Sequence, residues 1–272
     1  MTLPSFLIIG AMKAGTTTLY EDLLPVNGLW LPPQKEPDDM ATPAVETEAG
    51  LTSYKAKYAS CPVGSMSGDA STAYAKMPTY TGVPARAKRL LGEDIRIIYM
   101  TRDPVKRVIS QYHHLWGLEM EHRPINQAVL EDEQYVAYSR YSWQLQPWID
   151  TFGTDRVMVV RFEDYLADRP AQLAKICAFL GTVPPVDGPD ETHRNKSEGK
   201  RVVLEGSLAQ KFAHSRLYLF TIKPLIPTSL RDKLKALVLP KAREMDDKLN
   251  HETRTELERR FAEDPLAAAY LK

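Results

Sequence analysis

Short apolar runs alternate with longer amphipathic stretches along this chain. The apolar runs predict buried strands near residues 6–9, 29–31, 65–69, 95–100 and 157–161. Apolar residues recur at helical spacing between and after them, predicting helices near 16–24, 50–58, 80–91, 104–117, 125–137, 140–152, 170–180, 207–220, 229–237 and 251–261. Alternating strands and helices indicate an α/β fold, in which a central parallel sheet is flanked by helices on both faces.

Length and charge limit the class of protein. The 272 residues are enough for one large α/β domain with a buried core, and we expect a single domain over 1–272. The 35 basic residues balance the 35 acidic ones, so nothing in the net charge asks for a nucleic acid as the main partner. Composition alone is therefore compatible with many enzymes, and the motifs must decide.

The stretch 6–19 is the most informative part of the sequence. A predicted strand ends at Gly10, a loop runs to Gly15, and Thr16 opens a predicted helix. Backbone N–H groups and the positive helix end then point at one spot, which favours a phosphate. The spacing is similar to the Walker A motif, but the lysine has moved into the loop as Lys13. An ordinary connection between a strand and a helix would share some of these features.

A second segment has the same strand-to-helix form. The predicted strand 95–100 is followed by Arg102 and then by Pro104, which suits the first turn of a helix because its missing N–H is not needed there. Ser110 lies two turns into that helix, where it can face the end of the strand. On their own, Arg102 could form a surface ion pair and Ser110 could be an ordinary helix serine.

Together the two segments resemble sulfotransferases that use 3′-phosphoadenosine 5′-phosphosulfate (PAPS), a family with a P-loop-like three-layer fold. The pattern G-x-x-K-x-G-T-T at 10–17 resembles the family's 5′-phosphosulfate loop. The resemblance implies that Lys13, Ala14, Gly15, Thr16, Thr17 and Thr18 hold the 5′-phosphosulfate, and that Arg102 and Ser110 hold the 3′-phosphate. Lys13 would also be catalytic, neutralising the leaving phosphate.

Further matches resemble the carbohydrate or heparan-sulfate type of this family, in a bacterial-like form. Lys35-Glu36-Pro37 resembles its K-E-P segment, which implies that Glu36 is the catalytic base. Residues 195–201 resemble the loop that closes over the nucleotide, which adds Lys196, Gly199, Lys200 and Arg201 to the implied cofactor-binding residues. Two departures concern the acceptor side: Ala70 replaces a family lysine, and charged residues replace apolar ones at 38–39.

The resemblance implies metal-independent transfer of a sulfuryl group from PAPS to an acceptor hydroxyl or amine, leaving 3′-phosphoadenosine 5′-phosphate (PAP). The expected acceptor is a carbohydrate, a glycolipid or another small molecule. A small-molecule or nucleotide kinase and a non-catalytic PAP-binding protein stay open as alternatives. His113 and His114 follow Ser110 by one turn, and we expect them to be structural.

Location and assembly are less constrained. Two cysteines, Cys61 and Cys177, are too few for a disulfide framework and suit a reducing cytoplasm. The sequence predicts no signal peptide and no transmembrane segment. Residues 216–239 mix apolar and basic side chains; a packed helical hairpin and a membrane-surface helix are both compatible with them. The oligomeric state is not predicted.

Overall fold

A five-stranded sheet forms the centre of the computed structural model, which describes residues 3–185, 188 and 247–271. Its strands are β1 (Phe6–Gly10), β2 (Leu29–Trp30), β3 (Met66–Ala70), β4 (Arg96–Thr101) and β5 (Val157–Arg161). They lie in the order β2-β3-β1-β4-β5, and every neighbouring pair is parallel. All five predicted strands are therefore confirmed, each with its ends within one residue.

Helices surround this sheet. In the described residues they are α1 (Thr16–Leu23), α2 (Glu48–Ala56), α3 (Val83–Leu91), α4 (Pro104–Gly117), α5 (Ile125–Glu131), α6 (Glu133–Ala137), α7 (Tyr141–Phe152), α8 (Phe162–Ala167), α9 (Arg169–Leu180), α10 (His251–Phe261) and α11 (Pro265–Ala268). The single helix predicted over 125–137 is two helices, because Asp132 leaves the helical conformation and caps the second one through Gln134 N–H. The short α8 and α11 were not predicted. The helices predicted at 207–220 and 229–237, and the segment 216–239, lie outside the described residues.

The centre of the sheet is its most buried part. Phe6, Leu7, Ile8 and Ile9 of β1 are all fully buried. Continuous burial, instead of alternating burial, is what a parallel strand shows when helices cover both of its faces. The predicted α/β class, a P-loop-like three-layer fold with a parallel sheet, is confirmed. The prediction of a single domain over 1–272 stays a prediction.

The topology places the ends of the strands together. Because all strands are parallel, the segments that follow β1 to β5 meet at one edge of the sheet. The order reverses at β1, which has β3 on one side and β4 on the other. Open α/β sheets bind ligands at such a reversal, outside the carboxyl ends of the strands. No helix in the described ranges has the length and apolar character that crossing a membrane requires.

Candidate active site

The loop after β1, residues 11–15, is called the donor loop here. Gly15 ends it with φ 89°, a left-handed conformation that glycine adopts without strain. A Cβ atom at Gly15 would lie 2.3 Å from the Phe162 ring at the start of α8. Both the backbone and the packing therefore require glycine at this position, and they bring the end of β5 against the loop.

The start of α1 presents backbone N–H groups at the end of the donor loop. Among the described residues, no backbone carbonyl accepts a hydrogen bond from the N–H groups of Gly15, Thr16, Thr17 or Thr18. Such groups, together with the helix dipole, favour an anion. The N–H of Ala14 differs, because it donates to the Ala11 carbonyl at 3.1 Å within the loop's own turn.

Arg102 connects the donor loop to the end of β4. Its Nη1 donates to the Lys13 carbonyl at 3.1 Å, and its guanidinium lies 5.1 Å from the centre of the Phe162 ring. The Nε of Arg102 is buried without a hydrogen-bond partner among the described residues. Ser110, half-buried on α4, likewise has no side-chain partner there. Both groups can therefore take a polar ligand.

Glu36 lies on the other half of the edge, in a segment of residues 35–38 that is called the base turn here. Its N–H donates to the Ala70 carbonyl at the end of β3, at 3.0 Å. Glu36 and Asp38 have φ values of 60° and 57°, so two non-glycine residues of this turn are left-handed. Lys57 Nζ donates to the Pro37 carbonyl at 3.2 Å and holds the turn from α2.

The charge of Glu36 is set by its cationic neighbours. Burial acts to raise the pKa of Glu36, but the ammonium of Lys35, 2.5 Å from Oε1, outweighs it with help from Lys76 and His114, so the pKa is lowered overall. Glu36 is therefore ionised at neutral pH and able to accept a proton. Its side chain is 41% exposed, so an acceptor can reach it.

Beneath the base turn lies Asp69, which is fully buried in β3. Its carboxylate accepts hydrogen bonds from Tyr54 Oη at 2.9 Å, Tyr74 Oη at 2.8 Å and Ser71 Oγ at 2.7 Å. Ser71 Oγ also accepts from the N–H of Asp38 at 3.1 Å, so a chain of hydrogen bonds runs from Asp69 to the turn. Burial raises the pKa of Asp69, against the effect of these hydroxyl donors.

The pKa of Asp38 is shifted toward neutral. Burial first, and then the charge of Glu36, raises the pKa of Asp38 from 3.8 to about 6. One of its oxygens is buried without a partner in the described part of the chain. In the sequence, Asp38 stands out only because it replaces an apolar residue of the family motif. The structure places its carboxyl beside the candidate base.

The structure brings together the site residues that it describes, and it adds others. Lys13, Ala14, Gly15, Thr16, Thr17, Thr18, Glu36, Arg102 and Ser110 all lie at the carboxyl edge of the sheet, whereas Lys196, Gly199, Lys200 and Arg201 lie outside the described residues. The last turns of α4 also approach this edge: the pKa of His113 is lowered by burial and by Lys13, and His114 acts on Glu36. The expectation that these histidines are only structural stays untested.

Arg107 was also missed, although a signal was present. The side chains of α4 that face the core include Val105, Val108 and Tyr112, and Arg107 falls within that buried stripe. Arg107 is fully buried, while the neighbouring Lys106 is exposed. A cation inside an apolar helical stripe is therefore the signal that could have singled out Arg107.

These observations define a P-loop-like α/β protein with a glycine-bounded loop at the reversal point of its sheet. The chain belongs to the sulfotransferase family, because the family model described as "Sulfotransferase family" matches residues 27–184, more than half of the sequence. That matched range begins after the donor loop, so the interpretation of the loop depends on its geometry.

Known proteins agree with this assignment. A sulfotransferase from Alicyclobacillus acidocaldarius has the same fold, with a TM-score of 0.66 and 21% identity over 100% of both chains. Mouse sulfotransferase SULT7A1, crystallised with PAP, has a TM-score of 0.56 and 15% identity, covering 99% of this chain and 89% of the mouse chain. A 3-alpha-hydroxysteroid sulfotransferase from Cavia porcellus is 24% identical over 140 residues, 50% of this chain and 45% of its own length. The chain spans less than half the length of the curated relatives it matches.

Proposed function

We propose that this protein transfers the sulfuryl group of PAPS to a hydroxyl or amine of a small-molecule, carbohydrate or glycolipid acceptor. The observation that carries the proposal is the meeting, at one sheet edge, of an anion-binding donor loop and an ionised, accessible carboxylate at Glu36. The two free cysteines, Cys61 and Cys177, are compatible with the cytoplasmic location that we also propose.

The described residues fit PAPS. The unpaired N–H groups of residues 15–18 suit the 5′-phosphosulfate, and the unpartnered Nε of Arg102 with the free hydroxyl of Ser110 suits the 3′-phosphate. PAPS, when bound, supplies the activated sulfuryl group. Crystallisation of the mouse neighbour with PAP supports the choice of nucleotide.

The residues divide the reaction between them. Glu36 takes the proton of the acceptor as the acceptor oxygen or nitrogen bonds to sulfur. The bond between sulfur and the bridging oxygen breaks, and Lys13 stabilises the negative charge that this oxygen keeps as PAP forms. Positioning and electrostatics dominate such a transfer, as they do in phosphoryl transfer.

The acceptor is proposed only as a class. Lys35-Glu36-Pro37 favours the carbohydrate type of acceptor, while the guinea-pig relative is named for a hydroxysteroid. Both classes offer an aliphatic hydroxyl to a carboxylate base. Acidic Asp38 beside Glu36 is compatible with an acceptor that brings a hydroxyl or amine donor to this edge.

Nucleotide binding gives the direct test. Calorimetry should show tight binding of PAP, and Arg102→Ala should weaken it by roughly 2–4 kcal/mol, because a charge-assisted contact to the 3′-phosphate is lost. Binding of adenosine 5′-phosphosulfate, which lacks that phosphate, should fall much less, because Arg102 reaches the 5′ end only through the Lys13 carbonyl. Lys106→Ala, an exposed cation on the same helix, is the matched control and should affect neither ligand. Equal losses of both ligands in Arg102→Ala would contradict the role of Arg102.

A chelation experiment separates this proposal from a kinase. Lys13 and the start of α1 supply the positive charge that magnesium supplies in kinases, so we expect turnover within a factor of about two after EDTA treatment. Among the described residues no group of three His, Cys, Asp or Glu side chains is arranged to hold a metal ion. Loss of turnover with EDTA and its recovery with magnesium would support the kinase instead.

A further inference from the structure

Arg107, one turn into α4, is a buried cation without an anionic partner. Its side chain is fully buried, and none of the ion pairs in the described ranges includes it. A buried charge without a counter-ion is costly unless hydrogen bonds satisfy it. Burial lowers the pKa of Arg107, but arginine keeps its proton in proteins, so the charge stays.

Neutral oxygens satisfy the guanidinium of Arg107. Nη2 donates to Gln111 Oε1 and to the Tyr135 carbonyl, both at 2.8 Å, and Nε donates to Ser139 Oγ. Nη1 donates to the Met12 carbonyl of the donor loop at 3.4 Å. The first three contacts fix the plane of the guanidinium, and the fourth directs its charge at the loop.

Arg102 makes the equivalent contact one residue further along the loop, to the Lys13 carbonyl at 3.1 Å. Two arginines of one β4–α4 segment therefore hold the carbonyls of two consecutive loop residues. A carbonyl bonded to a guanidinium cannot turn its negative oxygen toward a bound anion. Lys13, between these contacts, has φ 66°, a conformation that a non-glycine residue keeps only when its surroundings hold it.

We propose that Arg107 is a positioning residue for the sulfuryl donor: together with Arg102 it keeps the carbonyls of the donor loop turned away from the 5′-phosphosulfate. The inference rests on the proposed function and adds to it a residue that does not touch the ligand. It differs from an ordinary core role, because the effect of losing Arg107 must be selective for the 5′-phosphate end of the nucleotide.

The test is calorimetry of three ligands with Arg107→Lys: PAP, adenosine 5′-monophosphate and adenosine 3′-monophosphate. Lysine keeps the charge but cannot make the four contacts of the guanidinium. We expect the Kd values of PAP and adenosine 5′-monophosphate to rise roughly tenfold, the effect of one charge-assisted hydrogen bond, with that of adenosine 3′-monophosphate unchanged.

Two further variants complete the design. Arg86→Lys is the matched control, because Arg86 is also buried and donates to a backbone carbonyl, that of Met40 at 2.7 Å, away from the donor loop. It should change none of the three Kd values. Ser139→Ala removes the Nε partner of Arg107, together with a 3.3 Å hydrogen bond from Ser139 Oγ to the Pro104 carbonyl. It should give the same selective pattern at about two- to threefold if Arg107→Lys fails to fold.

The outcomes separate the two proposals. The positioning role would be overturned if the affinities for all three ligands fell equally, or if none fell in folded Arg107→Lys and Ser139→Ala. The proposed function would still stand in that case, provided that the wild type binds PAP. Failure of the wild type to bind PAP would overturn the proposed function and the positioning role together.

Discussion

The two halves of the site are each built over a buried polar side chain of opposite chemistry, a guanidinium in one and a carboxyl in the other. Arg107 lies under the donor loop and Asp69 under the base turn, and neither has an ion-pair partner in the described part of the chain. The guanidinium binds a backbone carbonyl, that of Met12, whereas the carboxyl is linked to backbone N–H groups through hydroxyls.

On the Asp69 side the hydroxyls form two branches. Ser71 links Asp69 to the N–H of Asp38, and Tyr74 links it to the N–H of Met40 at 3.5 Å. On the Arg107 side the contact to the loop is direct. The difference is that the buried guanidinium binds a carbonyl of its loop, whereas the buried carboxyl binds N–H groups of its segment.

The strongest test of this comparison is Glu36→Gln. Glutamine keeps the shape of the side chain but cannot accept the proton, so kcat should fall roughly 10²- to 10⁴-fold while the Kd of PAP stays near the wild-type value. Kinetics with any acceptor that the wild type uses, together with calorimetry, give the two numbers. Glu48→Gln, an exposed carboxylate at the start of α2, is the control. Near-normal turnover would move the base elsewhere, first to His113 or His114 and then to Asp38.

Lys13→Ala should change both the turnover number and the affinity for the nucleotide. Under the proposed function Lys13 contacts the phosphosulfate both before and during the transfer, so we expect kcat to fall roughly 10²-fold and the Kd of PAP to rise about tenfold. The same two assays measure both. A loss of kcat with an unchanged Kd of PAP would mean that Lys13 does not bind the donor. It would contradict the assignment of donor binding to the donor loop and of proton transfer to the base turn.

Asp69→Asn should weaken the base turn alone. An amide offers one acceptor oxygen in place of two, so a hydroxyl contact is lost and kcat should fall roughly tenfold, with the Kd of PAP unchanged. Asp22→Asn is the control, because Asp22 is also buried but lies away from the base turn, where it accepts from Tyr165 Oη and from the guanidinium of Arg169, both at 2.5 Å. Both variants should lower the melting temperature, but only Asp69→Asn should change kcat of the folded protein. A rise in the Kd of PAP would contradict the separation.

The smallest expected effect is that of Asp38 on the pH profile. With a pKa of about 6, Asp38 ionises as the pH rises through that value, and its charge beside Glu36 makes the base stronger. We therefore expect kcat to rise two- to fivefold, a roughly half-unit pKa effect, across pH 6, and this step to vanish in Asp38→Asn. Glu36 cannot cause the step, because its pKa is lowered.

Stability gives a second measure of the same group. The pKa of Asp38 is higher in the folded state than its ordinary 3.8, so the folded state binds the proton more tightly and loses stability as the pH rises from about 4 to about 6. Thermal unfolding should therefore show that the stability of Asp38→Asn relative to the wild type is greater above pH 6 than below pH 4. An unchanged kcat profile in Asp38→Asn would assign the step to another group.

Much of the fold could be predicted from the sequence, because apolar runs such as Phe6–Gly10 leave a strand little choice. Short helices were less predictable. The helix Phe162–Ala167 has two acidic residues, Glu163 and Asp164, in its first turn and is too short to show a helical pattern of apolar residues. Thr47 caps α2 through the N–H of Gly50 at 3.1 Å, which starts that helix two residues before the predicted position.

The roles of Lys13, Glu36 and Arg102 were inferred from local motifs that resemble those of sulfotransferases, and they stay predictions. Asp69 and Arg107 could not be assigned in the same way, because their roles depend on partners far along the chain: Tyr54 for Asp69, and Met12 and Ser139 for Arg107. Tertiary contacts, not local patterns, decide which charges are buried.

The left-handed backbone of Glu36 implies a conflict between function and stability at this position. Holding glutamate at φ 60° costs about 1 kcal/mol or more, whereas asparagine tolerates this conformation far better. A mutation to asparagine should thus make a more stable protein that lacks the proposed base. Relatives that do not carry out the proposed sulfuryl transfer are expected to have such residues at this position and to unfold at a higher temperature.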